Sequence, residues 1–187
     1  MNSKYGFNEY LIYVSRHEPR KNHYKLLKSF IDLDLQKSHH LVLVGDVTFP
    51  DPNFDKLLAE LDDFSRSKIV LIHKVDFVSM ITLLRGSSLA VYPSIGEGFG
   101  LPPLESVAAK IPTICSNTTS MSEFDFFGED FINPHDIEDL KNKIRYKLNN
   151  IDIDRQNELS KLVANKYNWH LAAEQFKGVL KKQNLKY

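Results

Sequence analysis

Short apolar runs and amphipathic segments alternate along this chain, and that alternation restricts the fold more than any other feature. The runs Tyr10–Val14, 41–44, Ile69–Ile72, Leu89–Tyr92 and 112–115 have strand length, and a weaker sixth lies near 130–132. They are apolar at consecutive positions rather than at every second one, which is the pattern of strands covered on both faces. Helical stripes fill the gaps. Leu26, Leu27, Phe30 and Ile31 make one, Phe54, Leu57, Leu58 and Leu61 another, and Ile137, Leu140, Ile144 and Leu148 a third. The order βαβαβαβαβα implies a doubly wound α/β domain with a parallel, Rossmann-like sheet. Ligands of such domains bind at the carboxyl ends of the strands.

The chain has 187 residues, 42% of them hydrophobic, enough for a sizeable core in one domain or two small ones. Residues 1–150 carry the alternation, and the polar stretch 149–157 reads as a linker. Two helices are expected beyond it, at 158–167 and 171–181, so residues 151–187 read as a helical unit packing on the first. Ala172, Phe176, Val179 and Leu180 form the apolar stripe of the last helix, Trp169 reads as a packing anchor, and the lysine-rich tail from Lys181 reads as solvated.

Lysine plus arginine equals aspartate plus glutamate at 24 each, so bulk electrostatics favour neither nucleic acid nor acidic lipid as a partner. The single cysteine, Cys115, excludes an internal disulfide, suits a reducing compartment and sits in a strand as core. Residues 1–9 are polar, without a signal-peptide pattern, and no apolar run is long enough to cross a bilayer, which points to the cytoplasm. The chain contains no CxxC or HExxH. Its seven histidines are scattered apart from His39-His40, and no metal site is expected.

After the strand at Leu89–Tyr92, Pro93 ends the run and Gly96, Gly98 and Gly100 alternate with larger residues, so the backbone can approach a ligand closely. Pro102-Pro103 suits a helix entry, and a helix is expected over 103–110. Leu101 or Pro102 would stand at its N-cap, where neither supplies a side-chain acceptor, so its first N–H groups are free for a phosphate. Seven residues separate Glu97 on this loop from Glu105, placed in the first helical turn, where the helix dipole alone would also explain it. Amides for an anion and two carboxylates for hydroxyls together fit a nucleotide sugar.

The loop after the first strand reads Arg16-His17-Glu18-Pro19-Arg20-Lys21-Asn22-His23. Pro19 marks a helix start, so three cations crowd a helix N-terminus, the unfavourable end, at a cost of a few tenths to about 1 kcal/mol each when exposed. Glu18 can pair with Arg20 or Lys21. An anion bridging Arg16, Lys21 and the amides of residues 98–101 relieves both loops at once, because the loops after strands one and four can flank one crevice.

These strings resemble a family. Tyr13-Val14-Ser15-Arg16 with Pro19-Arg20-Lys21-Asn22, Leu43-Val44-Gly45, Leu84-Arg85-Gly86, Tyr92-Pro93-Ser94, the run from Glu97 to Glu105 and Ser116-Asn117 are similar to the C-terminal, donor-binding domain of the retaining glycosyltransferases of the GT-B fold, group 1 or family 4. The resemblance covers residues 10–136 in motif order and the C-terminal helices more loosely. It implies that Arg16 and Lys21 hold the donor diphosphate with the backbone of Gly98, Phe99, Gly100 and Leu101. Glu105 then binds the ribose, Glu97 faces the transferred sugar as the catalytic carboxylate, and Lys74 and Val75 lie against the base. The implied donor is a GDP- or UDP-linked hexose, mannose or glucose, with no further cofactor and no metal. The implied acceptor is a glycan or a lipid-linked sugar, in polysaccharide biosynthesis, with the whole enzyme cytoplasmic or peripheral at the inner membrane face. His73 and Lys110 stand where the family often has glycine, and Ser122 where it often has proline. The first strand starts at Tyr10, which leaves no room for the N-terminal half of such an enzyme. An excised domain, a truncated product or a subunit of a split enzyme is therefore expected, inactive alone, with the stripe around Phe176 partly exposed.

Two other classes fit parts of the pattern. Paired carboxylates also occur in glycoside hydrolases, although a cationic clamp on a doubly wound sheet does not suit one. A non-catalytic module that binds a nucleotide or a partner is the other alternative.

Overall fold

The computed structural model describes residues 6–182; the side chains of the basic tail from Lys182 on, and residues 1–5, lie outside the described residues. Among these, six strands form one parallel sheet: β1 Tyr10–Val14, β2 His40–Val44, β3 Ile69–Ile72, β4 Leu89–Tyr92, β5 Thr113–Ser116 and β6 Phe131–Ile132. The α-helices are α1 His23–Asp32, α2 Pro52–Glu60, α3 Asp63–Ser67, α4 Phe77–Gly86, α5 Leu101–Ala108, α6 Ile137–Asn149, α7 Ile153–Lys166 and α8 Trp169–Lys182. The strand order is β3-β2-β1-β4-β5-β6 with every neighbour parallel. The chain runs outward from β1 to β3, then returns to place β4 on the other side of β1. That reversal opens a crevice at the carboxyl ends of β1 and β4.

The consecutive apolar residues are buried on both faces as their pattern requires. Leu11, Ile12 and Tyr13 of β1, Leu41 and Val42 of β2 and Leu89, Ala90 and Val91 of β4 have no exposed surface. Leu26, Leu27 and Phe30 of α1, with Leu140 and Ile144 of α6, pack on them. Cys115 is buried in a second cluster with Leu104, Val107, Met121, Phe124 and Phe127, beneath α5.

The helix ends differ from the sequence reading. Gly100 caps α5 in the left-handed region at φ 97, so the helix starts at Leu101, two residues early, and Glu105 lies beyond its first turn. The dipole explanation of Glu105 is therefore set aside. At the other end Lys110 is left-handed at φ 65. Its N–H donates to Val107 O (2.9 Å) and that of Ile111 to Ser106 O (3.1 Å), a helix stop that favours glycine. Residues 19–21 form a 3-10 turn, and left-handed Asn22 separates it from α1, so the helix proper begins at His23 rather than at Pro19.

The expected linker at 149–157 is mostly helix. Asp152 accepts the N–H of Arg155 (2.9 Å) and starts α7 at Ile153. Of the polar residues that suggested a linker, Asp152 and Asp154 face outward, whereas Arg155 turns inward. Further along, Val163 packs with Leu104 and Val107, and Ser160 Oγ donates to Ala108 O (3.0 Å), fixing α7 on α5. Lys147 of α6 and Arg155 of α7 both pair with Asp130, which is buried just before β6. Asn168 caps α8, accepting from the N–H of Leu171 (2.8 Å), so that helix starts at Trp169. Trp169 is 86% exposed and anchors nothing among the described residues, while Phe176, Val179 and Leu180 are exposed as the resemblance implied. No helix among the described residues is long and apolar enough to cross a membrane.

Candidate functional site

The loop leaving β1 continues alongside the one leaving β2. Ser15 N–H donates to Val44 O (2.9 Å), His17 N–H to Asp46 O (2.8 Å) and Thr48 N–H to His17 O (3.0 Å). Gly45 is required at this approach: with φ at 146, a Cβ there would lie 2.0 Å from Ser15 O. Beneath the loop His17 and His23 stack with ring centroids 3.9 Å apart, and Phe54 closes on His17 at 4.4 Å. Burial, helped by the Lys21 charge, pushes the His23 imidazole down to about 2, and burial lowers that of His17 in the same direction. Both rings are therefore neutral at pH 7 and contribute packing rather than charge.

The same loop is fastened to the one that leaves β4. Asn22 Nδ2 donates to Pro93 O and Pro134 O, both at 3.0 Å, and Ile95 N–H donates to Arg20 O (2.8 Å). Arg20 donates to Gly96 O (2.6 Å), pairs with Glu18 (2.7 Å) and reaches Glu97 Oε2 at 3.5 Å. Lys21 Nζ lies 2.5 Å from Glu97 Oε1, with the two side chains 10% and 15% exposed. Ser94 Oγ donates to the same oxygen (2.8 Å) and meets the hydroxyl of buried Tyr13 (2.8 Å), which also donates to Lys21 O (2.9 Å). The two motifs expected to flank one crevice are thus joined at the β1/β4 reversal.

The remaining sequence-predicted residues divide into three groups. Arg16, Lys74 and Val75 line one cleft with His73, Asp46 and Pro102, between the ends of β1, β2 and β3. Among the described residues, Arg16 and Lys74 make no ion pair, and the cleft they line also holds Asp46. On the β4 loop no protein acceptor among the described residues takes the N–H of Phe99, Gly100 or Leu101. Pro102 and Pro103 carry no N–H, so those three amides are the donors available at this helix end. The side chains of Phe99 and Leu101 point elsewhere, into a groove with Tyr167 and Trp169. Glu105 is half-buried, and burial raises its carboxyl above the usual range; it makes no ion pair among the described residues.

Sequence reasoning gave no role to Arg20 beyond the cation triplet, nor to Tyr13, Ser94, Thr119 or Ser120. Chemically the site offers two free cations, one paired lysine, three free amides, and a carboxylate held on one oxygen by Lys21 and Ser94. That set suits a diphosphate beside a polyol.

The model of the glycosyl transferases group 1 family matches residues 2–169. The chain belongs to this family. The serotype-specific mannosyltransferase WbdA of Escherichia coli is 30% identical over an alignment 188 positions long, which covers 96% of this chain and 23% of that protein. The O-antigen chain mannosyltransferase RfbU of Salmonella typhimurium is 28% identical over 136 residues, 73% of this chain and 37% of that one. This group 1 chain therefore spans only part of either relative. In fold it is similar to a UDP-forming α,α-trehalose-phosphate synthase from Burkholderia vietnamiensis, with a TM-score of 0.80 at 15% identity over 95% of this chain and 46% of the other. The catalytic domain of cholesterol-α-glucosyltransferase from Helicobacter pylori gives 0.71 at 24% identity over 86% of this chain and 99% of that one. Both are glycosyltransferases of the GT-B fold, the architecture expected from the sequence.

Proposed function

We propose that this chain is the donor-binding domain of a retaining hexosyltransferase. It binds a nucleoside-diphosphate hexose, mannose or glucose on GDP or UDP, for transfer to a glycan or lipid-linked acceptor. The observation that carries this reading is the meeting of the two loops: Lys21 and Glu97 pair at 2.5 Å at the strand-order reversal.

In this reading Arg16 and Lys21 neutralise the diphosphate, and the amides of the Gly98–Leu101 stretch supply further donors. The leaving diphosphate is stabilised electrostatically by groups already in place. Glu97 orients hydroxyls of the transferred sugar and stabilises positive charge as it develops at the anomeric carbon. Glu105 takes the ribose hydroxyls, and Lys74 and Val75 lie against the base. The acceptor site belongs to a second domain or subunit, which completes the enzyme at the membrane face where its acceptors are made.

Chemical-shift mapping tests this directly. GDP-mannose or UDP-glucose added to the labelled chain should move amides in 15–21, 73–75 and 96–105. Shifts confined to other segments, or release of sugar from a glycan without any nucleotide, would overturn the reading.

A further inference from the structure

We propose that Thr119 is a positioning residue for Glu97, held in a strained backbone so that its hydroxyl fixes the Glu97 amide. What the positioned carboxylate does rests on the donor-site reading above. The placement itself rests on geometry alone.

The loop after β5 presents three hydroxyls in a row to the loop after β4. Thr118 Oγ1 donates to Ile95 O (3.1 Å), Thr119 Oγ1 accepts the N–H of Glu97 (3.0 Å), and Ser120 Oγ donates to Glu97 O (2.9 Å). Both backbone polar groups of Glu97 are therefore held from one neighbouring loop, while Lys21 and Ser94 hold its carboxylate from the other side.

Thr119 sits at φ 51, in the left-handed region. The other non-glycine residues found there among the described ones are Asn22, Asp34 and Lys110. Asn and Asp tolerate this region and Lys110 ends a helix, whereas a β-branched residue is a true outlier. The side chain of Thr119 is exposed, so core packing does not impose the conformation. Strain of this kind persists where surrounding contacts over-determine it, and it gathers at functional sites. The contact that Thr119 makes and a glycine would not is the bond to Glu97.

Three variants of the chain separate positioning from plain structure: Thr119→Ser, Thr119→Ala and Thr119→Gly. Three readouts follow each of them: hydrogen exchange of the Glu97 amide in the free protein, the Tm, and the ratio of affinities for a nucleoside-diphosphate hexose over the bare nucleoside diphosphate. GDP-mannose against GDP and UDP-glucose against UDP supply that ratio.

Serine keeps the hydroxyl and should keep both the slow exchange and the ratio. Alanine and glycine should both speed exchange and lower the ratio about 3- to 10-fold, the weight of one hydrogen bond. They should do so equally, although glycine relieves the strain and melts about 2–4 °C above alanine. Unaltered exchange in Thr119→Ala, or a ratio that follows the Tm, overturns the proposal. Absence of any nucleotide binding by the unmodified chain overturns the donor-site reading instead, and exchange at Glu97 then still decides whether Thr119 fixes it.

Discussion

Two substitutions break the same ion pair and should have opposite effects on ligand binding. Lys21 and Glu97 lie 2.5 Å apart and mostly out of water. A charge-assisted hydrogen bond of this kind contributes about 1.5–3 kcal/mol. Lys21→Met removes the ammonium and keeps the apolar stem. Glu97 then retains Ser94 Oγ at 2.8 Å and Arg20 at 3.5 Å, so its charge is not orphaned and the fold loses about 1–2 kcal/mol, around the lower end of that range. For a domain of this size the Tm should fall by about 2–8 °C. A nucleoside diphosphate loses one charge-assisted contact and should bind about 10- to 150-fold more weakly. Glu97→Gln costs the fold a similar amount but leaves the Lys21 ammonium for the diphosphate, so GDP or UDP should bind at least as tightly as before. Thermal unfolding and calorimetric titration of both variants decide the matter. Equal loss of nucleotide affinity in the two would show that the pair only holds the loops together, and the assignment of Lys21 to phosphate would fall.

Three further outcomes follow from the structure. His23 is depressed to about 2 when folded and is ordinary when unfolded, so unfolding takes up a proton below about pH 6.5; stability is lost as pH falls through that value, by about 1.6 kcal/mol from His23 between pH 6.5 and 5.0. Urea midpoints that stay level across this interval would contradict the buried neutral pair. Lys110→Gly relieves a left-handed lysine at the end of α5 and should raise the Tm by about 2–4 °C; a fall in Tm would argue against that helix stop. Asp130→Ala leaves buried Lys147 and half-buried Arg155 without their carboxylate, at a cost of about 3–5 kcal/mol in chemical denaturation. Asp130 precedes β6, at the opposite end of the sheet from the crevice, so nucleotide affinity of the folded fraction should not change.

The sheet was legible because its strands are apolar at consecutive positions and alternate with helical stripes, a combination that suits a parallel sheet covered on both faces. Helix ends were less so. The start of α5 depends on a left-handed Gly100, a backbone state that several loop glycines could equally have taken, and α7 begins at an aspartate cap within a stretch polar enough to pass for a linker. The meeting of the β1 and β4 loops could be anticipated because the strand-order reversal brings them together. The ties that support it could not. Arg20 meets Gly96 across 76 residues and Thr119 meets Glu97 across 22, and isolated serines and threonines carry no periodic signal. Trp169 was misread because composition reveals that a side chain is apolar, not what lies against it.

The most direct test of the donor-site assignment is calorimetric titration of the chain with GDP, UDP and ADP in the absence of magnesium. The proposed assignment of Arg16, Lys21 and the Gly98–Leu101 amides to the diphosphate predicts one nucleoside diphosphate bound selectively at one per chain, with affinity falling as salt rises. Failure of all three to bind would contradict it.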